Sequence, residues 1–227
     1  MKNAIIIILC LALVAAVCAG FAACGRNKNQ GEPVTNYDEP AIVGGWQRAE
    51  SVEITKDFQK VFDKAVRGVK DAKYTPVAYL ASQVVAGTNH CVLCKETPKE
   101  KNAVSRYALL YIYEDLQGNA KVSNIAGSTV SVPSYDKPVS GGWGETASPV
   151  VTDEVRAALE KACLPLDVNP FTPIAYLQTQ VVAGFNYLVL CENPNVADDE
   201  IPYQLVTVYS RLDGGAEITN VSEFNVE

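Results

Sequence analysis

A single histidine, His90, stands among the 227 residues. Any mechanism that needs two imidazoles, such as a two-His zinc site or a two-His proton relay, is therefore excluded. Basic residues are few: 19 Lys and Arg face 26 Asp and Glu, and they form no cluster. Nucleic-acid binders neutralise phosphates with Lys and Arg, so a formal charge of −7 argues against that class. Cysteine is present in an odd number, seven, so the thiols of the full chain cannot all pair with one another. No phosphate-cradling Gly loop and no Ser–His–Asp set can be found. What remains is a globular composition, 48% hydrophobic and 20% charged. That is neither a disordered chain nor a multi-span membrane protein. At roughly 100–200 residues per domain, the length allows one large domain or two small ones.

The first residues read as a targeting segment rather than as fold. Lys2 precedes an uncharged run from Asn3 to Cys24, densest in Ile, Leu, Val and Ala between Ile5 and Val17. The run ends Gly20-Phe21-Ala22-Ala23-Cys24-Gly25. This resembles the lipobox of bacterial lipoproteins, with Phe21 where Leu is usual. The resemblance implies a signal over residues 1–23 and lipidation of Cys24. Ordinary signal cleavage near Ala19 or Ala23, or an uncleaved anchor, are the alternatives; the stretch is about the 20 residues that span a bilayer. Residues 24–40, polar and rich in Asn, Gln, Glu and Pro, suit a tether. Export, to the cell surface or as a secreted protein, is the expected location.

The rest is one unit written twice. Gly44-Gly45-Trp46 recurs 97 positions later as Gly141-Gly142-Trp143. Gln83-Val84-Val85-Ala86-Gly87 recurs unchanged at the same offset as Gln180-Val181-Val182-Ala183-Gly184. Pro76 to Leu80 matches Pro173 to Leu177, and Val92-Leu93-Cys94 matches Val189-Leu190-Cys191. After one deletion the offset is 96, aligning Tyr113 with Tyr209. The boundary falls near Ser134 to Pro138.

Each unit opens with a helix. Ile54, Phe58, Val61, Phe62, Ala65, Val66 and Val69 fall on one helical face, behind Thr55 as N-cap. Val151, Val155, Ala158, Leu159 and Ala162 repeat the pattern behind Thr152. Gly68 and Pro165 occupy equivalent positions and should end or kink the helices. Strands follow over Tyr79–Val85, Asn89–Lys95, Arg106–Glu114 and Lys121–Ile125, joined by hairpins at Ala86-Gly87 and Asp115–Asn119. The counterpart of the second hairpin is Arg211–Gly215.

A Gly pair before the helix, QVVAG in the first hairpin and a polar Gly-containing second hairpin resemble the cystatin superfamily, the reversible inhibitors of papain-like cysteine proteases. The stefins are the closer branch, since no Pro-Trp pair stands in the second hairpin and no Cys follows Cys191. The resemblance implies an α+β fold: two tandem cystatin-like domains, residues 41–133 and 138–227, each one helix across an antiparallel sheet. It also implies a function: a thiol protease inhibitor, not an enzyme, with no cofactor or metal.

The family's wedge maps onto both units. In the first it comprises Ile42, Val43, Gly44 and Gly45, the hairpin Gln83, Val84, Val85, Ala86 and Gly87, and the tip Gln117, Gly118 and Asn119. In the second it comprises Gly141, Gly142, Gln180, Val181, Val182, Ala183, Gly184, Asp213 and Gly214. Glycine admits close approach to an enzyme surface, and Val has little rotamer freedom to lose on docking. Where Ile42-Val43 precede the first Gly pair, Val139-Ser140 precede the second. That exchange favours the first unit by roughly 1–2 kcal/mol of apolar contact.

Competing readings attach to the remaining residues. Cys91-x-x-Cys94 offers two thiols, against the four ligands of a structural zinc site, and places them on opposite faces of a strand. His90 and Cys91, adjacent in a strand, also face opposite ways and cannot share a proton. Trp46 and Trp143 read as sheet-edge anchors. The alternative function is a surface adhesion module that inhibits nothing.

Overall fold

A computed structural model describes residues 44–132, 141–166, 170–195 and 201–226. The export signal, Cys24, the tether, Ile42, Val43, the Ser134–Pro138 boundary and Val139-Ser140 lie outside the described residues.

The helices form where side-chain pattern and caps coincide. Helix α1 (Lys56–Ala65) is capped by Thr55, whose hydroxyl accepts the Phe58 N–H at 3.2 Å. It buries Phe58, Phe62 and Ala65 and passes into a 3-10 turn over Val66–Gly68. Helix α2 (Asp153–Cys163) is capped by Thr152, with Asp153 and Glu154 at the positive end of its dipole. It ends just before Pro165.

Ten strands carry the rest: β1 (Trp46–Arg48), β2 (Ala72–Val85), β3 (Gly87–Pro98), β4 (Arg106–Glu114), β5 (Ala120–Ser131), β6 (Trp143–Glu145), β7 (Thr172–Val182), β8 (Gly184–Glu192), β9 (Tyr203–Arg211) and β10 (Ala216–Val226). β2 begins earlier than its composition suggests, because register shifts at Pro76/Ala78 accommodate the proline. β7 does the same at Pro173/Ala175. Proline inside a sheet belongs at such irregularities, where no ladder N–H is required.

The expected pair of separate α+β domains is not what these elements build. All ten strands belong to one antiparallel sheet, ordered β1-β2-β3-β4-β5-β10-β9-β8-β7-β6. The last strand of the first repeat pairs with the last of the second, Phe224 opposite Ser128 and Val226 opposite Ala126. Among the described residues the protein is thus mostly β, one curled sheet with two short helices, and these residues form one compact unit.

The reason lies in the strands' second faces. Val92, Cys94, Ala108, Leu110 and Ile112 pack beneath α1 with Phe58 and Phe62. Val189, Cys191, Val206 and Val208 pack beneath α2. The intervening residues are buried as well, in a cluster drawn from both repeats. It pairs equivalent positions: Leu80 and Leu177, Leu93 and Leu190, Leu109 and Leu205, Tyr107 and Tyr203. Each repeat therefore presents an apolar sheet face that the other covers, as in the self-complementary interface of a two-fold dimer. At roughly 1.5–3 kcal/mol per buried Leu side chain, leaving those faces in water is far costlier than joining them.

Polar links cross the same seam. Gln178 donates its amide to the Tyr107 hydroxyl at 3.2 Å and the Ser131 carbonyl at 3.3 Å. Arg48 pairs with Glu192 at 2.7 Å, and Lys95 pairs with Glu145.

The two halves are not packed identically. Phe58 and His90 lie against each other in the first, ring centroids 5.3 Å apart. The equivalent pair in the second is Val155 and Tyr187, so bulk has moved from helix to sheet. The Tyr187 hydroxyl then reaches Glu154 at 2.7 Å, while His90 Nδ1 meets the Tyr79 hydroxyl at 2.8 Å.

Candidate binding edges

Antiparallel pairing gathers three separated segments at one end of the first half. Trp46 lies opposite Gln83, Val85 opposite Gly87, Thr88 opposite Glu114, and Glu114 opposite Ala120. The start of β1, the β2–β3 hairpin and the β4–β5 hairpin therefore share an edge. The second half does the same with Trp143 opposite Gln180, Val182 opposite Gly184, Gly184 opposite Arg211, and Ala216 opposite Ser210.

A chain of hydrogen bonds fixes the edge, and its side-chain links recur in both copies. Gly44 N donates to the Val84 carbonyl at 3.1 Å. Gln83 Nε2 donates to the Gly44 carbonyl at 2.8 Å, and Asn89 Nδ2 donates to Gln83 Oε1 at 2.7 Å. Gln180 Nε2 donates to the Gly141 carbonyl at 2.8 Å, and Asn186 Nδ2 donates to Gln180 Oε1 at 2.6 Å. The Tyr113 hydroxyl donates to the Ala86 carbonyl at 2.6 Å, as Tyr209 does to Ala183 at 2.6 Å. Lys64 reaches from α1 to the Gly118 carbonyl at 2.8 Å, and Lys161 reaches from α2 to that of Gly214 at 2.5 Å.

Two pairs of glycines answer different constraints. A Cβ on Gly87 (φ +127°) would meet the Glu114 carbonyl oxygen at 2.3 Å, and on Gly184 (φ +126°) that of Ser210 at 2.2 Å. Glycine there lets the neighbouring strand, β4 or β9, run close beside the hairpin tip. Gly44 (φ +90°) and Gly141 (φ +76°) have nothing within 4 Å of that position, so only the backbone turn requires them. Gly45 and Gly142, next in the chain, are half-buried.

The second turn is set by Asp115, whose carboxylate accepts the backbone N–H of Gln117 and Asn119 and the Asn119 amide, all within 2.9 Å. These bonds, the Asn119 side chain first, hold its carboxyl below the usual carboxylate range. Asp213 is lowered too, chiefly by the Gly215 N–H that it accepts at 2.9 Å.

With those groups occupied internally, the outward surface is short and apolar. Val84, Val85 and Ala86 are exposed, as are Val181, Val182 and Ala183. Gln117 also faces solvent. At the tip of each second turn stands a leucine outside the expected wedge residues, Leu116 at 78% exposure and Leu212 at 81%. Their signal was available: an apolar residue amid polar turn residues, repeated at the offset of 96. Gln83 and Asn119, expected to meet a partner, use their side-chain amides within the edge. Trp46 is 46% exposed and sits edge-on to Tyr111, centroids 5.8 Å apart, while Trp143 is partly buried against the shared core.

The thiols lie elsewhere. Cys91 faces the shared core and Cys94 the helix side. Burial pushes the Cys91 thiol up to about 12 and Cys94 well above its ordinary value. Among the described residues no group of three or more His, Cys, Asp or Glu could hold a metal ion. No protein-family model and no curated protein matches the chain.

Proposed function

We propose that the chain is a reversible, tight-binding protein inhibitor of papain-like cysteine proteases, each edge plugging an active-site groove by surface fit. The observation that carries this reading is the recurrence of one edge, with the same internal bonding, at Gly44/Val84–Gly87/Leu116–Asn119 and Gly141/Val181–Gly184/Leu212–Gly215. A hairpin needs a turn glycine and β-formers, and that need explains one tip. It does not explain exposed Val pairs, stapled glycines and leucine-tipped second turns appearing together twice.

The physics suits groove filling. The edge is narrow at Ala86 and apolar at Val84, Val85 and Leu116, and its backbone is held before any partner arrives. Association then loses little conformational freedom. A contact of this kind buries on the order of 800 Å² per partner. The exposed groups of the edge are aliphatic and amide, so inhibition is non-covalent and releases intact enzyme. The signal-like start and the Gly20–Gly25 stretch support an exported, lipid-tethered protein; palmitate labelling lost in Cys24→Ala tests that placement.

The functional test is titration of papain with the mature chain. Loss of peptide hydrolysis at stoichiometric ratios, relieved by Val84→Asp/Val85→Asp together with Val181→Asp/Val182→Asp, is expected. Full hydrolysis in the presence of excess folded protein overturns the proposal and leaves a binding module that inhibits nothing.

A further inference from the structure

We infer that one chain holds two protease molecules at once, at opposite ends of its sheet, and so bridges them. This rests on the proposed inhibitory reading; the geometry behind it does not. The turn at 115–119 opens β5, and the turn at 211–215 opens β10. These strands run antiparallel and meet only near β10's far end, Phe224–Val226 against Ser128–Ala126. Each strand therefore leads away from its own turn, and the turns point in opposite directions.

The seam between the halves says the same. Arg48, close to the first edge, pairs with Glu192 at the end of β8 remote from the second. Lys95, at the remote end of β3, pairs with Glu145 close to the second edge. Eight residues of strand lead from Ala120 to Ser128 and eight more from Phe224 back to Ala216, so about sixteen separate the edges, roughly 50 Å at ~3.3 Å per residue. Both edges belong to one compact unit, so the separation is built in and owes nothing to a linker. Enzymes docked on the two edges extend away from each other. By the same geometry one enzyme cannot touch both edges, and no avidity on a single target arises.

The experiment is a sandwich. Papain is immobilised, the mature chain is bound to it, and soluble papain is passed over. Sedimentation of the same mixture gives the stoichiometry. A second papain layer and two enzymes per chain are expected. Val85→Asp or Val182→Asp alone should each abolish the second layer while keeping one enzyme per chain. One enzyme per chain at saturation overturns the bridge, whether one variant or neither abolishes binding, yet leaves inhibition standing. No capture of papain by a chain with native circular dichroism overturns the inhibitory reading itself.

Discussion

The side-chain amide of Gln83 fastens the carbonyl of Gly44 at 2.8 Å, joining the start of β1 to the hairpin 39 residues further on. Without it, Gly44 keeps one backbone bond to Val84. Gln83→Leu should therefore loosen the first edge without disturbing the core. A net hydrogen bond is worth about 0.5–1.5 kcal/mol, so papain should dissociate roughly 2- to 13-fold faster from that edge. The variant is measured in a chain whose second edge carries Val182→Asp. Unchanged dissociation would make the staple irrelevant to binding.

Glycines 44 and 87 should separate in their response to a methyl group. Gly87→Ala drives a Cβ against the Glu114 carbonyl at 2.3 Å and should cost about 3 kcal/mol of stability. Gly44→Ala meets open space and should cost only about 1 kcal/mol, from its positive φ. Urea unfolding of both variants compares them; equal losses would contradict the hairpin geometry.

The sole histidine should make stability fall in mild acid. Burial between Phe58 and Tyr79 lowers the pKa of His90, although Glu114 Oε2, 3.4 Å from Nε2, opposes the shift. The unfolded chain then takes up a proton near pH 6.5 that the folded chain refuses, so stability is complete above that pH and drops as pH falls below it. His90→Gln should flatten the slope between about pH 6.5 and the lowered folded value. The imidazole proton resonance, free of overlap in a one-histidine protein, reports that value directly.

The exchange of bulk between Phe58/His90 and Val155/Tyr187 predicts strong coupling. His90→Tyr alone should overpack against Phe58 and cost about 1–3 kcal/mol. Adding Phe58→Val should recover at least half of the loss, a coupling on the order of 1 kcal/mol in a double-mutant cycle. Additive losses would mean that the two sites do not share their space.

The common core predicts one unfolding transition. Leu93→Ala should cost about 2–5 kcal/mol and lower amide protection in β8 and β9 as well as in β3 and β4. Two transitions, with only the first repeat affected, would contradict a core shared between repeats.

These elements differ in how plainly the sequence announces them. Thr55 and Thr152, the QVVAG tips and the offset of 97 are local or repetitive signals, and the helices, hairpins and converging edges follow from them. The joined sheet does not. Repetition says that a unit occurs twice; it is silent on whether the copies stand apart or lie face to face. The informative signal is the uninterrupted apolar run, Cys91-Val92-Leu93-Cys94 and Leu188-Val189-Leu190-Cys191, where a strand covered on one side would alternate. Gln83 marks the other limit: its sequence position cannot distinguish an amide offered to a partner from one spent on its own backbone.

Strand β1 begins at Trp46, two residues after Gly44, so the first edge is the one at which the preceding 43 residues join the described chain. Fastening that extension to a surface gives the molecule a near end and a far end. Under the proposed lipid tether, the Gly44 head would be the nearer of the two to the anchor along the chain. The Gly141 head, at the opposite end of the sheet, would then be the freer to meet an enzyme arriving from solution, whichever of the two holds more tightly when free.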